Sequence, residues 1–333
     1  MMSETPLNTA PYKDKKTGLL VFGIFEILLG AFFVLLLLVT VLGQLALAHR
    51  PEMADTVDRR SLWPTAIMMG GLAGVFIWLG IGSIKYRRWA RALSLCLGWL
   101  GLMVGVISCV ALVWTLPGID AAMRQTSQRQ GREMPAAILM ITKIVMVVFT
   151  FLFYVVIPGA LVLFYRSRHV KMTCEALDPV SRWTDHCPLP VLAMVLLQAF
   201  GAVSMLTMLP VYGRAFPFFG VILKGLPATA MYLLFAAFSI YAARGFYRLQ
   251  LKAFWAYFMV VVIFAISGVI TLSHGNLMAL YQAIDLPKAQ LQQIDQMPFM
   301  HSQSLMWMGA TGGLLYAGFL FWLKRYFMPA EAK

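Results

Sequence analysis

The sequence predicts an all-α protein: a polytopic transmembrane bundle of about eight spans, built as a 4+4 parallel internal repeat with short amphipathic helices on its outer face. Three observations predict it. Of 333 residues, 60% are hydrophobic and only 12% charged, against about 25% charged in a soluble domain. Apolar windows of about 20 residues, the length that spans a bilayer as a helix, recur along the whole chain. Lipid offers no partners to backbone groups, so such windows must be helices. The short alternating segments of a β-barrel are not visible.

The spans are expected at 18–46, 64–84, 92–115, 137–165, 189–210, 225–243, 253–273 and 304–325. Lys13, Lys15 and Lys16 precede the first, and Ala46-Leu47-Ala48 resembles a signal-peptidase site. The apolar run from Gly18 to Ala48 is far longer than the roughly 7–15-residue core of a signal peptide, so it reads as a retained span. Pro158-Gly159 should kink the fourth span, because proline removes a backbone donor. The loops 116–136 and 274–303 are long. In the second, Leu277, Leu280, Tyr281 and Ile284 recur at helical spacing, as expected of an amphipathic helix on the outer surface.

Charge sets the orientation. Short segments at one end of the spans carry 17 of the 27 basic residues, among them Lys85, Arg87, Arg88 and Arg91, whereas loop 274–303 has a single lysine. This is the positive-inside pattern and places both termini in the cytoplasm, as expected of a bacterial inner membrane protein. It also accounts for the net charge of +13 without a nucleic-acid partner. Trp63, Trp114 and Trp307 near outer ends, and Trp89, Trp183, Trp255 and Trp322 near inner ends, form aromatic belts.

Similar short patterns recur at an offset of about 156–163 residues: Trp63-Pro64-Thr65 and Leu226-Pro227-Ala228, Tyr86-Arg87 and Tyr247-Arg248, Phe164-Tyr165-Arg166 and Phe321-Trp322-Leu323-Lys324. Four spans per unit leaves both units in the same orientation. The expected organisation is a tail (1–17), a first four-helix repeat (18–170), a cytoplasmic linker (171–188), a second repeat (189–326) and a tail (327–333). Gly70/Gly74, Gly101/Gly105 and Gly309/Gly313 stand at the GxxxG spacing that lets helices pack closely.

Glu26 is the one acidic residue inside an expected span, and Gln198 lies at similar depth in the fifth. A carboxylate in lipid is costly, so the pair is the candidate intramembrane polar or ion site. Met297, Met300 and His301 form a weak soft-ligand cluster for copper. Cys174, Cys187, His169 and His186 have no zinc-ligand spacing. Cys174 and Cys187 fall in the expected cytoplasmic linker, where disulfides are rare. No expected span holds two histidines for a haem, and no nucleotide loop or hydrolase motif occurs, so no metal, cofactor or catalytic residue is assigned. Lys143 and Lys224 can snorkel to the interface.

Scarce mid-membrane polarity favours an accessory subunit or scaffold, partnered by the bilayer and by protein or a second copy through its helix faces. The alternative is a transporter of a small solute or ion, with a path between the repeats. A membrane enzyme using Glu26 or the outer histidines is the third class. A water-sized cavity between the halves, touching Glu26 or Gln198, would mark the transporter.

Overall fold

The computed structural model describes residues 12–49, 59–129, 135–274, 277–286, 290–291, 294 and 304–328. Eight of its helices are long and apolar enough to cross a membrane, where the hydrophobic runs place them. The first three are α1 (Lys16–Ala48), α2 (Leu62–Ile84) and α3 (Arg88–Arg129). The fourth span is α4 (Ala136–Phe151), a π-helical turn (Leu152–Val156) and α5 (Ile157–Tyr165) in sequence. The short α6 (Arg168–Leu177) leads to α7 (Leu189–Tyr212). A hairpin of β1 (Ala215–Phe218) and β2 (Val221–Lys224) precedes α8 (Leu226–Tyr247). The chain continues through α9 (Leu251–Ser273), α10 (Leu277–Ala283) and α11 (Ser304–Leu323).

The structure adds to the sequence reading in three places. Loop 116–136 is helical over most of its described part, because α3 runs unbroken to Arg129. Beyond Pro117-Gly118 the sequence Ala121-Ala122-Met123-Arg124-Gln125 is made of strong helix formers. The segment between the fifth and sixth spans is an antiparallel hairpin pairing Ala215 with Lys224 and Phe218 with Val221. Phe219 (φ 48) and Gly220 (φ 81) form its two-residue turn, both in the left-handed region that matches strand twist. The linker is also helical: α6 buries Val170, Thr173 and Cys174 at the three- and four-residue spacing of one helix face. The short helix expected at Leu277–Ile284 is present as α10, with Ile284 fully buried.

The break expected at Pro158 takes the form of the π turn just before it. Pro158 cannot donate to the Tyr154 carbonyl, and that carbonyl packs against Gly105 of α3 so closely that a methyl group at Gly105 would collide with it. Gly98 and Gly101 flank it, with Val162 and Pro158 pressed onto them. Gly101 and Gly105 are therefore a packing surface, and Gly313 packs on Ala265; Gly70 and Gly74 meet little. A second close approach, between helices, lies at Gly23, Gly30, Ala73 and Gly80, where a methyl group at Gly23 would lie 2.8 Å from the Gly80 carbonyl oxygen. That contact brings α1 and α2 together as the closest-packed helix pair.

Within the first half α1 packs on α2 and α3 on α5; within the second α7 packs on α8 and α9 on α11. Each half has a core, one around Leu19, Leu161 and Tyr165, the other around Phe246, Phe254 and Leu320. A third cluster, with Leu79, Leu93, Cys96, Leu192 and Ala193, joins α2 and α3 to α7. All three gather at the end rich in Lys and Arg, called here the basic end. Away from it burial in the first half thins: α1 buries nothing beyond Gly30, and between Ala136 and Val156 only Leu139 is buried.

The α2–α3 and α8–α9 turns are built alike, 163 residues apart in sequence. Tyr86 and Leu249 both have positive φ. Arg87 N–H donates to the Gly82 carbonyl and Gln250 N–H to the Gly245 carbonyl, each at 2.9 Å, the helix-ending pattern of a Schellman motif. A methyl group at Gly82 would stand 2.6 Å from Ala90 Cβ, and one at Gly245 would collide with Ala253.

Candidate functional site

Two polar clusters lie within the bundle, one in each half. Glu26 stands ten residues into α1, roughly 15 Å along the helix from the basic end. It is 1% exposed. Ser83 Oγ, at the end of α2, donates to Glu26 Oε2 at 3.0 Å and shares a 2.8 Å hydrogen bond with the Tyr165 hydroxyl at the end of α5. Ser94 of α3 stands beside the carboxyl, but among the described residues neither its hydroxyl nor Glu26 Oε1 has a partner in good hydrogen-bonding geometry. None of the ion pairs among the described residues involves Glu26. The α2–α3 turn explains the convergence, because it carries Ser83 and Ser94 on either side of itself.

In the second half Gln198 Nε2 of α7 donates to the Tyr257 hydroxyl of α9 at 2.6 Å, which bonds the Tyr316 hydroxyl of α11 at 2.7 Å. Glu26 and Gln198 are thus both buried and bonded, but in separate clusters with no hydrogen bond joining them.

A cavity of about 910 Å³ lies between the halves, walled by α3, α7 and α11. Trp99, Met103, Val106 and Ile107 of α3 face Leu315 and Phe319 of α11 across it. Its basic end is lined by Arg166 and by Arg325, which stacks on Trp322 at 4.0 Å. Arg325 donates to the Tyr326 hydroxyl, and neither arginine has an acidic partner among the described residues. Tyr316 brings the end of the Gln198 chain to the cavity wall, whereas Glu26 and Gln198 are not part of its lining. The cavity is apolar along its length and cationic at one end, a shape for an amphiphile more than for a hydrated ion.

The basic end is closed by an ion-pair network that the sequence did not disclose. Asp178, just past α6, is 3% exposed. It pairs with Arg87 at 3.5 Å and Arg182 at 3.6 Å and accepts the Arg88 amide at 3.3 Å. Arg88 also reaches Glu175 and Asp185. The linker is thereby clamped to the α2–α3 turn, and the chain ahead of α1 to α6: the Lys13 amide donates to His169 Nδ1 and the Lys15 amide to Thr173 Oγ1.

At the other end the hairpin is pinned from two helices. The Phe219 amide donates to Ser267 Oγ at 2.8 Å and the Gly220 amide to Thr271 Oγ1 at 3.1 Å. From α8, the Thr229 and Tyr232 hydroxyls donate to the Gly213 and Ala215 carbonyls. Ser267 lies six residues inside the end of α9, roughly 9 Å deep. Non-helical backbone at such depth persists where protein satisfies it.

Met297, Met300 and His301 lie outside the described residues. Among the described residues no three His, Cys, Asp or Glu side chains gather to hold a metal, and all four cysteines are free. Cys174 and Cys187 do face one cavity, at the basic end. Sequence reading found Glu26 and Gln198 as isolated polar residues in apolar runs, and missed their partners Tyr165, Tyr257 and Tyr316. Tyrosine is at home in apolar runs, and only the positions of these hydroxyls mark them as network members. Comparison with protein-family models, with curated proteins and with solved structures finds no match.

Proposed function

We propose that this chain is a non-enzymatic membrane scaffold or accessory subunit whose two four-span halves hold an anionic phospholipid in the cleft between them. The observation that carries the reading is that cleft, about 910 Å³, apolar along α3 and α11 and lined at its basic end by Arg166 and Arg325. Acyl chains suit the apolar walls and a phosphate suits two arginines without acidic partners. Positive-inside charge supports placing the basic end and both termini in the cytoplasm, as in a bacterial inner membrane. The matching α2–α3 and α8–α9 turns support duplication of residues 18–170 as 189–326 across the linker 171–188. Glu26, closed in by Ser83 and Tyr165, acts in this reading as a polar fastener of the first half.

Transport is the second reading. Tyr316 on the cleft wall, hydrogen-bonded through Tyr257 to Gln198, offers the polar contact that a solute path between the halves needs. One experiment separates the two. The protein is extracted in mild detergent and its retained lipids identified by native mass spectrometry, alongside flux measurements in vesicles. Retained anionic phospholipid, lost in the Arg166→Gln/Arg325→Gln double variant and in the cleft-filling Val106→Trp, supports the scaffold reading. Identical lipid retention in all three proteins overturns it, and solute flux abolished by Tyr316→Phe favours transport.

A further inference from the structure

A second cavity, about 290 Å³, opens at the basic end between α3, α6 and the start of α7, separated from the cleft by Leu189, which lines both. Its volume far exceeds the ~15 Å³ that one water requires. The charged groups facing it are Arg88, Arg91, Lys171, Glu175 and Asp185. Both acids are already engaged, by Arg88 at 3.6 Å each and by Lys171 at 3.8 Å to Glu175. Arg91 is engaged by neither: it makes no ion pair among the described residues, and its Nε is buried without an acceptor. Thr184, 1% exposed, presents a second buried polar atom, Oγ1, that has no partner among the described residues. The 24-residue α7 begins at the same cavity, at Leu189, with no side-chain cap, so the positive end of its dipole adds to the field. The Cys174 and Cys187 thiols complete the wall without negative charge at neutral pH, since burial pushes each up to about 11.

Buried donors without acceptors call for an occupant. Here they converge with one cation in excess over the acids, a guanidinium edge, a hydroxyl and a helix N-terminus, and that set is complementary to an oxyanion. We propose that this cavity binds a phosphate group, held by Arg91, Lys171 and Thr184 at the N-terminus of α7. The group comes either from a soluble phosphate or from a phospholipid head reaching it at the membrane surface. Because α3 belongs to the first half, α7 to the second and Thr184 to the linker, a bound phosphate ties all three together.

The test uses the full chain purified in a neutral detergent. Thermal unfolding is followed while inorganic phosphate replaces chloride at constant ionic strength, and separately while phosphatidylglycerol is added to the micelles. A raised midpoint with inorganic phosphate identifies a soluble ligand, and one seen only with phosphatidylglycerol identifies a headgroup. The shift is expected to vanish in Arg91→Gln. In Thr184→Val the phosphate concentration needed for it should rise about tenfold, the effect of losing one hydrogen bond to a charged group. Arg166→Gln/Arg325→Gln, which empties the neighbouring cleft, should keep the inorganic-phosphate response, so failure of the cleft reading leaves this one standing. No shift with either addition, or an undiminished shift in Arg91→Gln, overturns the proposal. If Arg91→Gln does not fold, an unchanged response in Thr184→Val overturns it equally.

Discussion

Replacing Glu26 by alanine removes a side chain that is 1% exposed and takes one hydrogen bond, from Ser83 at 3.0 Å. Losing a hydrogen bond to a carboxyl costs about 1–3 kcal/mol. The vacated space adds a cavity term, and truncating a side chain of similar length to alanine in a core costs about 2–5 kcal/mol in all. Ser83 keeps its 2.8 Å bond to Tyr165, so its hydroxyl is not orphaned, which holds the expected loss to about 2–4 kcal/mol. Glu26→Gln keeps the shape and the acceptor for Ser83 and should fall within about 1 kcal/mol of the parent. Glu26→Leu combined with Ser83→Ala replaces the buried pair by apolar groups and should be nearly neutral, since both partners go together. Unfolding in detergent can be followed with a thiol-reactive dye, because Cys96, Cys174 and Cys187 are all buried in the folded chain. Two results would refute the reasoning. If Glu26→Ala unfolds like the parent, the carboxyl does not fasten the first half. If Glu26→Gln loses as much as Glu26→Ala, the negative charge itself is needed, as at a cation site.

Two further predictions follow from groups at the ends of the bundle. Burial raises the Cys174 and Cys187 thiols from 9.0 to about 11, so the folded chain holds those protons more tightly. Their stabilisation is then complete below pH 9 and is lost as pH rises to 11; the Cys174→Ala/Cys187→Ala protein should show a shallower fall in melting temperature over that window, and an equal fall would contradict it. Ser267→Ala strips the acceptor from the Phe219 amide, worth about 1–3 kcal/mol when that amide is left unpaired. Hydrogen exchange at that amide should accelerate more than tenfold while α1–α6 are unaffected, and unchanged exchange would show that the hairpin does not depend on this contact.

The sequence by itself determined the eight helices, because the solvent around most of the chain is lipid. An unbroken apolar run of some 20 residues has one way to satisfy its backbone there, and that demand is local. It also marked Glu26 and Gln198, since a polar side chain in such a run is conspicuous without any partner in view. What the chain could not display one residue at a time was decided by tertiary packing. Glycine pairs were legible by spacing at Gly101/Gly105, but the extensive contact of α1 with α2 formed at Gly23 and Gly80, on different helices, because close approach depends on how two surfaces cross and not on periodicity within one. Asp178, Arg91 and Thr184 look like ordinary linker and turn residues until α6 and α7 fold over the α2–α3 turn and exclude water from them. The hairpin was hidden for the same reason: Ala215–Lys224 is too short and too apolar to declare itself, and hydroxyls supplied by α8 and α9 hold it in place. Lipid fixed the helices one at a time; contacts between residues distant in sequence chose which polar atoms were paired and which were left facing a cavity.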